Sequence, residues 1–205
     1  MSKPLNPSKS EPPKKVRIIG GVWRSRLLTV IDLPGLRPST DRIRETLFNW
    51  LGQDLVGLDC LDLFAGTGAL GFEAASRHAQ SVTLLEKDKK AYANLLANFV
   101  SLQTSPAPGA VHILHKDSLE FLKHQADRSS NLIFIDPPFQ EEVLFEQAVN
   151  QAGRICDDSA GGGIYVEFPA SRSREEVEAL LPEWYCGKYL EAGQVKACLF
   201  RSRRD

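Results

Sequence analysis

The sequence lacks the features that mark membrane, secreted and metal-dependent proteins. Its four cysteines are scattered, with no C-x-x-C pair and no histidines at ligand spacing, so neither a metal site nor a disulfide framework is indicated. No apolar run approaches the roughly 18 residues of a membrane span, and residues 1–15 contain no signal-peptide hydrophobic region. We therefore expect a cytoplasmic protein with no bound metal and no membrane partner.

Charge is unevenly distributed along a chain of ordinary composition. The 205 residues are 42% hydrophobic and 25% charged, with a net charge of −1, as expected for one globular domain. The first fifty residues nevertheless hold ten basic side chains against four acidic ones, and residues 1–15 predict a disordered basic tail. A basic start on a neutral body favours RNA or DNA as a partner. No long apolar surface is left over, so we expect a monomer.

The order of elements predicts the fold class. From Leu58 onward, apolar runs at 58–64, 81–86, 111–115, 132–135 and 164–168 alternate with helical stretches at 69–78, 89–102, 118–125 and 141–155. This alternation predicts an α/β protein with a doubly wound, mainly parallel, seven-stranded Rossmann-like sheet and right-handed crossovers. A helix at 174–181 and runs at 185–190 and 195–201 predict a C-terminal antiparallel hairpin.

The segment before this domain does not show the alternation of strands and helices. Residues 16–26 predict two short β elements around the Gly20-Gly21 turn, followed by a run at 27–30, and their arginines and Trp23 are expected to share one exposed face. Thr40 or Asp41 caps a predicted helix that runs to Leu51. We therefore divide the chain into a tail at 1–15, an extension at 16–51 and a main domain at 52–205.

A glycine-rich turn follows the first strand of the main domain. Gly66, Gly68 and Gly71 have the spacing of a nucleotide-binding fingerprint, and Glu86 lies twenty residues after Gly66 at the end of the next strand. Glycines let the backbone approach a ligand closely, and a carboxylate accepts hydrogen bonds from ribose hydroxyls. The pattern predicts a cofactor that contains a nucleoside.

Acidic residues end four successive predicted strands: Asp62, Glu86, Asp117 and Asp136. An acid ahead of the glycines repels a pyrophosphate but suits a cationic sulfonium compound. S-adenosylmethionine is therefore favoured over NAD as the cofactor. An NAD-dependent reductase is further disfavoured because no hydride-transfer partner surrounds Asp136.

The tetrapeptide Asp136-Pro137-Pro138-Phe139 follows the apolar run 132–135 directly. Two prolines remove two N–H donors, so carbonyl oxygens and a carboxylate are left beside a flat aromatic ring. This combination suits a planar base with an exocyclic amine. The alternative is a strand that ends in an ordinary Asp-Pro turn, with Phe139 in the core.

Three sequence blocks resemble one known family. They are RIIGGVWR at 17–24, GLRPSTDRIRETLFNWL at 35–51 and DLFAGTGALG at 62–71. With the tetrapeptide, they are similar to the RsmD family of class I S-adenosylmethionine-dependent methyltransferases. The resemblance implies methylation of the exocyclic N2 of a guanine, guanine 966, in 16S ribosomal RNA. It also implies that the partner is the small ribosomal subunit or its assembly intermediate, and that the extension faces RNA.

The resemblance assigns a role to each matching position. Cofactor contacts are implied for Thr40, Asp62, Phe64, Ala65, Gly66, Gly68, Glu86, Lys87, Asp117 and Ser118. The catalytic positions are Asp136, Pro137, Pro138 and Phe139. RNA contacts are implied for Arg17, Trp23, Arg24, Arg26, Arg37, Arg42 and Arg44.

Two alternatives stay open. The Asp-Pro-Pro-Phe motif also serves adenine-N6 methyltransferases that act on DNA or RNA, and the motif does not choose between the two bases. A non-catalytic RNA-binding assembly factor is a second alternative, although the intact acids and prolines favour an enzyme. The Arg-Ile-Ile-Gly-Gly block and the absence of a separate target-recognition domain favour RNA guanine.

Overall fold

The computed structural model describes residues 14–31, 41–103 and 109–203. The chain begins with a two-stranded antiparallel ribbon of β1 (Lys15–Arg17) and β2 (Leu27–Thr29), followed by helix α1 (Asp41–Leu51). The predicted hairpin is present, but residues 22–25 form a turn and no second β element before Leu27. The predicted tail lies outside the described residues except for Lys14 and Lys15, and Lys15 already belongs to β1.

The described residues of the main domain form seven strands. They are β3 (Asp59–Asp62), β4 (Ser81–Glu86), β5 (Ala110–His115), β6 (Leu132–Ile135), β7 (Gly163–Pro169), β8 (Trp184–Ala192) and β9 (Val195–Ser202). The helices between them are α2 (Ala69–Ser76), α3 (Lys89–Leu102), α4 (Ser118–Lys123), α5 (Glu142–Ile155) and α6 (Arg174–Ala179), with a short 3-10 helix at Asp158–Ala160.

The sheet has the order β5-β4-β3-β6-β7-β9-β8. Strands β3 to β7 are parallel, and β9 is antiparallel to both β7 and β8. The predicted fold class and C-terminal hairpin are confirmed. The first strand of the sheet ends at Asp62 instead of residue 64, because the chain turns there into the glycine loop and the Ala65 N–H bonds to the Leu85 carbonyl at 2.9 Å.

Two apolar layers cover the two faces of this sheet. On one face, Leu47 and Phe48 of α1 and Phe72 of α2 are fully buried; Phe48 packs against Phe134 of β6 with ring centroids 6.2 Å apart. On the other face, side chains of α5 and α6 such as Val149 are buried. Each such side chain contributes about 1.5–3 kcal/mol by leaving water.

The N-terminal ribbon is bound to α2. The buried Glu73 carboxylate accepts hydrogen bonds from the backbone N–H groups of Ile19 and Gly20, each at 2.7 Å. Gly21 has a φ of +72°, and a Cβ there would lie 1.8 Å from the Ser76 carbonyl oxygen. The extension therefore packs on the main domain through buried polar contacts.

The prediction that Trp23 is exposed is wrong. Its side chain is only 1% exposed and packs edge-on against Phe72, with ring centroids 6.3 Å apart. Its backbone N–H donates to the Ser76 hydroxyl at 2.9 Å. Trp23 belongs to the core between the ribbon and α2, so its ring cannot stack on an RNA base.

Helices long and apolar enough to cross a membrane are absent from the described parts of the chain.

Candidate active site

The strand order brings the four predicted acids to one edge of the sheet. Asp62 and Glu86 end β3 and β4, and Asp136 and Asp117 follow β6 and β5. These four strands are neighbours in the sheet and run parallel. Ligands of open α/β sheets bind at this carboxyl edge, where the chain order reverses on either side of the first strand.

The glycine loop has a backbone that other residues do not readily adopt. Gly66 and Gly68 have φ angles of 53° and 85°, in the left-handed region where a Cβ is strained. A Cβ on Gly68 would lie 2.2 Å from the Phe72 ring and 2.7 Å from Leu95. The loop therefore presents backbone atoms without side chains above closely packed apolar residues. A ligand can approach such a backbone closely.

Asp62 lies beneath this loop. Its carboxylate is 2% exposed and accepts a hydrogen bond from the Gly71 N–H at 3.0 Å. Burial raises the pKa of Asp62 to about 7, against the opposing effect of the N–H groups of Gly71 and Phe64. Asp62 therefore ties the end of β3 to the start of α2, and its predicted contact with the cofactor stays a prediction.

Glu86 is joined to the same loop. One carboxylate oxygen accepts from the Gly66 N–H at 3.0 Å, and the other accepts from the Asp88 N–H at 2.8 Å. Lys87, the next residue, forms an exposed ion pair with Glu141 at 2.9 Å. Glu86 thus stands at the loop with its oxygens oriented by two backbone donors, and each oxygen retains a second lone pair for a ribose hydroxyl.

Asp117 and Ser118 begin α4 on the other side of the site. Asp117 is exposed and caps the helix, because its carboxylate accepts from the N–H groups of the second and third residues after it at 3.0 and 3.1 Å. Ser118 is buried, and its hydroxyl donates to the Leu63 carbonyl. The exposed acid faces solvent at the site edge, whereas Ser118 holds α4 against the end of β3.

The tetrapeptide lies directly after the fully buried strand β6. Pro137 is buried, whereas Asp136, Pro138 and Phe139 are partly exposed. Phe139 lines a pocket of about 270 Å³ and does not belong to the core. The pocket walls are formed by Pro137, Pro138, Phe139, Gln140, Glu142, Phe145, Pro169, Ser171, Arg172 and Glu176. The position of Phe139 disfavours the alternative of a purely structural turn.

The predicted RNA-contacting arginines separate into two groups. Arg17, Arg24 and Arg42 are exposed and Arg26 is partly exposed. Arg44 is fully buried, and its Nη2 donates to the Arg17 carbonyl at 2.7 Å and to Asp41 at 2.6 Å.

The prediction for Arg44 is therefore wrong, because its guanidinium joins α1 to the ribbon. Burial lowers the pKa of Arg44, while the neighbouring carboxylates, Asp41 first, act in the opposite direction. Arg37 and Thr40 lie outside the described residues.

One pair near the site was not identified from the sequence. Glu167 of β7 is 2% exposed and accepts a hydrogen bond from the buried Tyr165 hydroxyl at 2.8 Å. An acid inside an apolar strand is costly unless it is paired. An acidic residue inside the apolar run 164–168 is the sequence feature from which a role for Glu167 could be predicted.

The chain matches a described protein family over almost its whole length. The family described as "Conserved hypothetical protein 95" matches residues 16–201. Ribosomal RNA small subunit methyltransferase D of Haemophilus influenzae is 46% identical over 193 residues, which cover 92% of this chain and 94% of that protein. The chain belongs to the RsmD family of methyltransferases.

Other similar proteins agree with RsmD membership. Ribosomal RNA small subunit methyltransferase D of Escherichia coli K12 is 40% identical over 190 residues, covering 91% of this chain and 90% of that protein. A solved Escherichia coli structure, provisionally assigned as the methyltransferase yhhF, is 36% identical with a TM-score of 0.76, and covers 94% of this chain and 100% of its own. The family and fold predicted from the sequence are confirmed.

The geometry of the site is compatible with S-adenosylmethionine, the cofactor predicted from the sequence. The described residues fit it in three respects. The glycine loop leaves room for close approach, Glu86 offers acceptors for a ribose, and the acids at the strand ends suit a positive charge on sulfur.

Proposed function

We propose that this chain transfers a methyl group from S-adenosylmethionine to the exocyclic N2 of a guanine in 16S ribosomal RNA, at guanine 966. The observation that carries the proposal is the adjacency of β3 and β6. It brings the glycine loop, the proposed cofactor site, next to Asp136-Pro137-Pro138-Phe139, the proposed site of the amine. The names of the RsmD relatives support ribosomal RNA as the polymer.

The cofactor is held by the glycine loop and by the acids around it. In the proposal, Ala65, Gly66 and Gly68 contact it with their backbone, Glu86 binds the ribose, and Asp117 accepts from the adenine amine. Phe64, Lys87 and Ser118 line the same edge, and Asp62 acts from beneath the loop. Thr40, which lies outside the described residues, is proposed to stand beside the methionine end.

The tetrapeptide holds the base. The Asp136 carboxylate and the Pro137 carbonyl accept hydrogen bonds from the amine, and Phe139 stacks on the ring. The lone pair of a guanine amine is delocalised into the ring, so catalysis depends mainly on placing the nitrogen about 3–3.5 Å from the methyl carbon and in line with its bond to sulfur. S-adenosylmethionine supplies the electrophilic methyl group.

The proton balance is simple. As nitrogen gains the methyl group, the amine loses one proton, which passes to Asp136 or to water. S-adenosylmethionine would supply the positive charge that this proton carries away, because the electron pair of its methyl–sulfur bond would stay on sulfur. These steps need an acceptor within hydrogen-bond reach of the amine, and Asp136 is the group proposed to provide it.

RNA is proposed to lie along the basic surface of the extension. Arg17, Arg24, Arg26 and Arg42 expose guanidinium groups on the ribbon and on α1. Arg37, outside the described residues, belongs to the same proposal. Guanidinium groups bind phosphate oxygens and stack on unpaired bases. The proposed substrate is the small subunit or its assembly intermediate, and the enzyme is proposed to act as a monomer in the cytoplasm.

Mapping the modified nucleoside tests this proposal. The protein and labelled cofactor are incubated with naked 16S RNA and with small subunits from a methylation-deficient strain, and the product is digested to nucleosides. N2-methylguanosine supports the proposal, and N6-methyladenosine overturns the guanine assignment. Failure to bind S-adenosylmethionine in calorimetry would favour a non-catalytic assembly factor.

A further inference from the structure

Tyr165 and Glu167 form a buried pair that the proposed mechanism does not use. Both side chains project from the same face of β7, since they are two residues apart in a strand. Tyr165 is fully buried, Glu167 is 2% exposed, and the phenol donates to the Glu167 carboxylate at 2.8 Å. Neither side chain is exposed enough to contact a base, so any effect on the reaction passes through a neighbour.

That neighbour is Asp136. Strands β6 and β7 are parallel with Phe134 opposite Tyr165 and Ile135 opposite Val166, and Asp136 is the next residue along. The Phe134 and Tyr165 rings pack edge to face with centroids 6.4 Å apart. Burial raises the pKa of the Tyr165 phenol, and the Glu167 and Asp136 carboxylates raise that pKa further. Asp136 therefore lies close to the buried pair.

Arg44 supplies a positive charge on the same face of the sheet. It lies one helical turn before Phe48, whose ring packs on Phe134 at 6.2 Å. The Asp41, Glu73 and Glu167 carboxylates all favour its charged form. Because a buried carboxylate needs a charge or hydrogen bonds to compensate it, Arg44 and the Tyr165 hydroxyl are the groups that compensate Glu167 beneath the site.

We propose that Tyr165 and Glu167 are positioning residues that hold Asp136 at the orientation needed to accept from the reacting amine, with Arg44 balancing their charge. This inference rests on the proposed function, because it assumes that Asp136 binds the amine. It extends the site from the exposed tetrapeptide to a buried pair on the neighbouring strand.

The substitution Tyr165→Phe isolates the hydroxyl, since the ring and its packing on Phe134 are kept. We expect kcat to fall by about tenfold, because small misplacements of reacting groups cost up to about a hundredfold. The KM for RNA and the Kd for S-adenosylmethionine should stay close to wild type, whereas the melting temperature should fall because the buried Glu167 carboxylate loses a hydrogen-bond donor. Glu167→Gln is expected to act in the same direction. A loss of cofactor affinity as large as the loss of kcat would overturn the positioning role.

The chain offers a matched control on β8. Tyr189 and Glu191 form the same pair two residues apart, with the phenol donating to the carboxylate at 3.2 Å, but both residues are exposed. Tyr189→Phe should leave kcat unchanged. Equal kcat values for Tyr165→Phe, Tyr189→Phe and wild type would overturn the proposal.

A double-mutant cycle separates this inference from the proposed function. If Tyr165 acts through Asp136, Tyr165→Phe should lower kcat in the wild-type background and have no further effect in an Asp136→Ala background. If Tyr165→Phe lowers kcat by the same factor in both backgrounds, the inference is contradicted. Wild-type turnover by Asp136→Ala alone would instead contradict the role of Asp136 in the proposed function.

Discussion

The Glu86 carboxylate accepts a hydrogen bond from the backbone N–H of Gly66 at 3.0 Å. This bond joins the end of β4 to the glycine loop that follows β3. The cofactor is proposed to bind at this loop. A side chain placed by the loop it faces is ready to bind the ribose without rearrangement, which reduces the entropic cost of binding.

We expect Glu86→Ala to weaken S-adenosylmethionine binding by about 10- to 100-fold, because hydrogen bonds to a charged group contribute about 1.5–3 kcal/mol. Isothermal titration calorimetry measures the change. Glu120→Ala is the control, because Glu120 is an exposed carboxylate on α4 whose side chain binds Lys123 and His124. Equal affinities for the two variants would exclude Glu86 from the cofactor site.

Gly68→Ala should destabilise the protein by about 3–5 kcal/mol, because a left-handed φ and a clash with Phe72 act together. Gly161→Ala separates the two effects, since Gly161 has a φ of +95° with nothing within 4 Å of an added Cβ. We expect Gly161→Ala to cost about 1–2 kcal/mol from strain alone. Urea denaturation of both variants checks the difference, and equal losses would contradict the close packing beneath the loop.

Arg24→Ala should weaken RNA binding by a similar factor for all sequences and reduce the slope of log K against log salt by about 0.7–0.9, as for one lost phosphate contact. Filter binding to 16S RNA at several salt concentrations measures it. Arg128 is a suitable control, because it is exposed, pairs with Asp157 and lies in the turn before β6, outside the extension. If Arg128→Ala has the same effect as Arg24→Ala, the basic face of the extension is not the binding surface.

The stability of the protein should depend on the ionisation of Asp62. Its pKa is raised from 3.8 to about 7 in the folded protein, so the folded state holds a proton that the unfolded chain releases. The stabilisation by protonated Asp62 is fully present below the pKa of the unfolded chain. It is lost as the pH rises through the pKa of the folded protein. Between about pH 5 and 8 the free energy of unfolding should fall by on the order of 3 kcal/mol relative to Asp62→Asn. If the free energies of unfolding of the wild type and of Asp62→Asn change with pH in parallel, the raised pKa of Asp62 is contradicted.

Local patterns in the sequence predicted the main sheet well. The bounds of β4, β6 and α3 match the predicted ranges, because apolar runs and the Asp88 cap mark them locally. The adjacency of four acidic strand ends also followed, since parallel strands of a doubly wound sheet meet at one edge.

Exposure in the extension was harder to predict, because it depends on distant partners. Trp23 is covered by Phe72, and Glu73 binds the backbone of the ribbon; neither contact leaves a local pattern in residues 16–26. For Arg44 a signal was present, since Leu47 and Phe48 follow it at helical spacing on the buried face of α1. The helical spacing places Arg44 on the buried face of α1 in spite of its charge.

The most direct test of the account is the turnover of Asp136→Ala with labelled cofactor on small ribosomal subunits, beside Asp127→Ala as an exposed control that pairs with Arg154. We predict that Asp136→Ala binds S-adenosylmethionine with wild-type affinity and loses at least about a hundredfold in kcat, while Asp127→Ala is unaffected. Near wild-type turnover by Asp136→Ala would contradict the proposal that Asp136 accepts from the reacting amine.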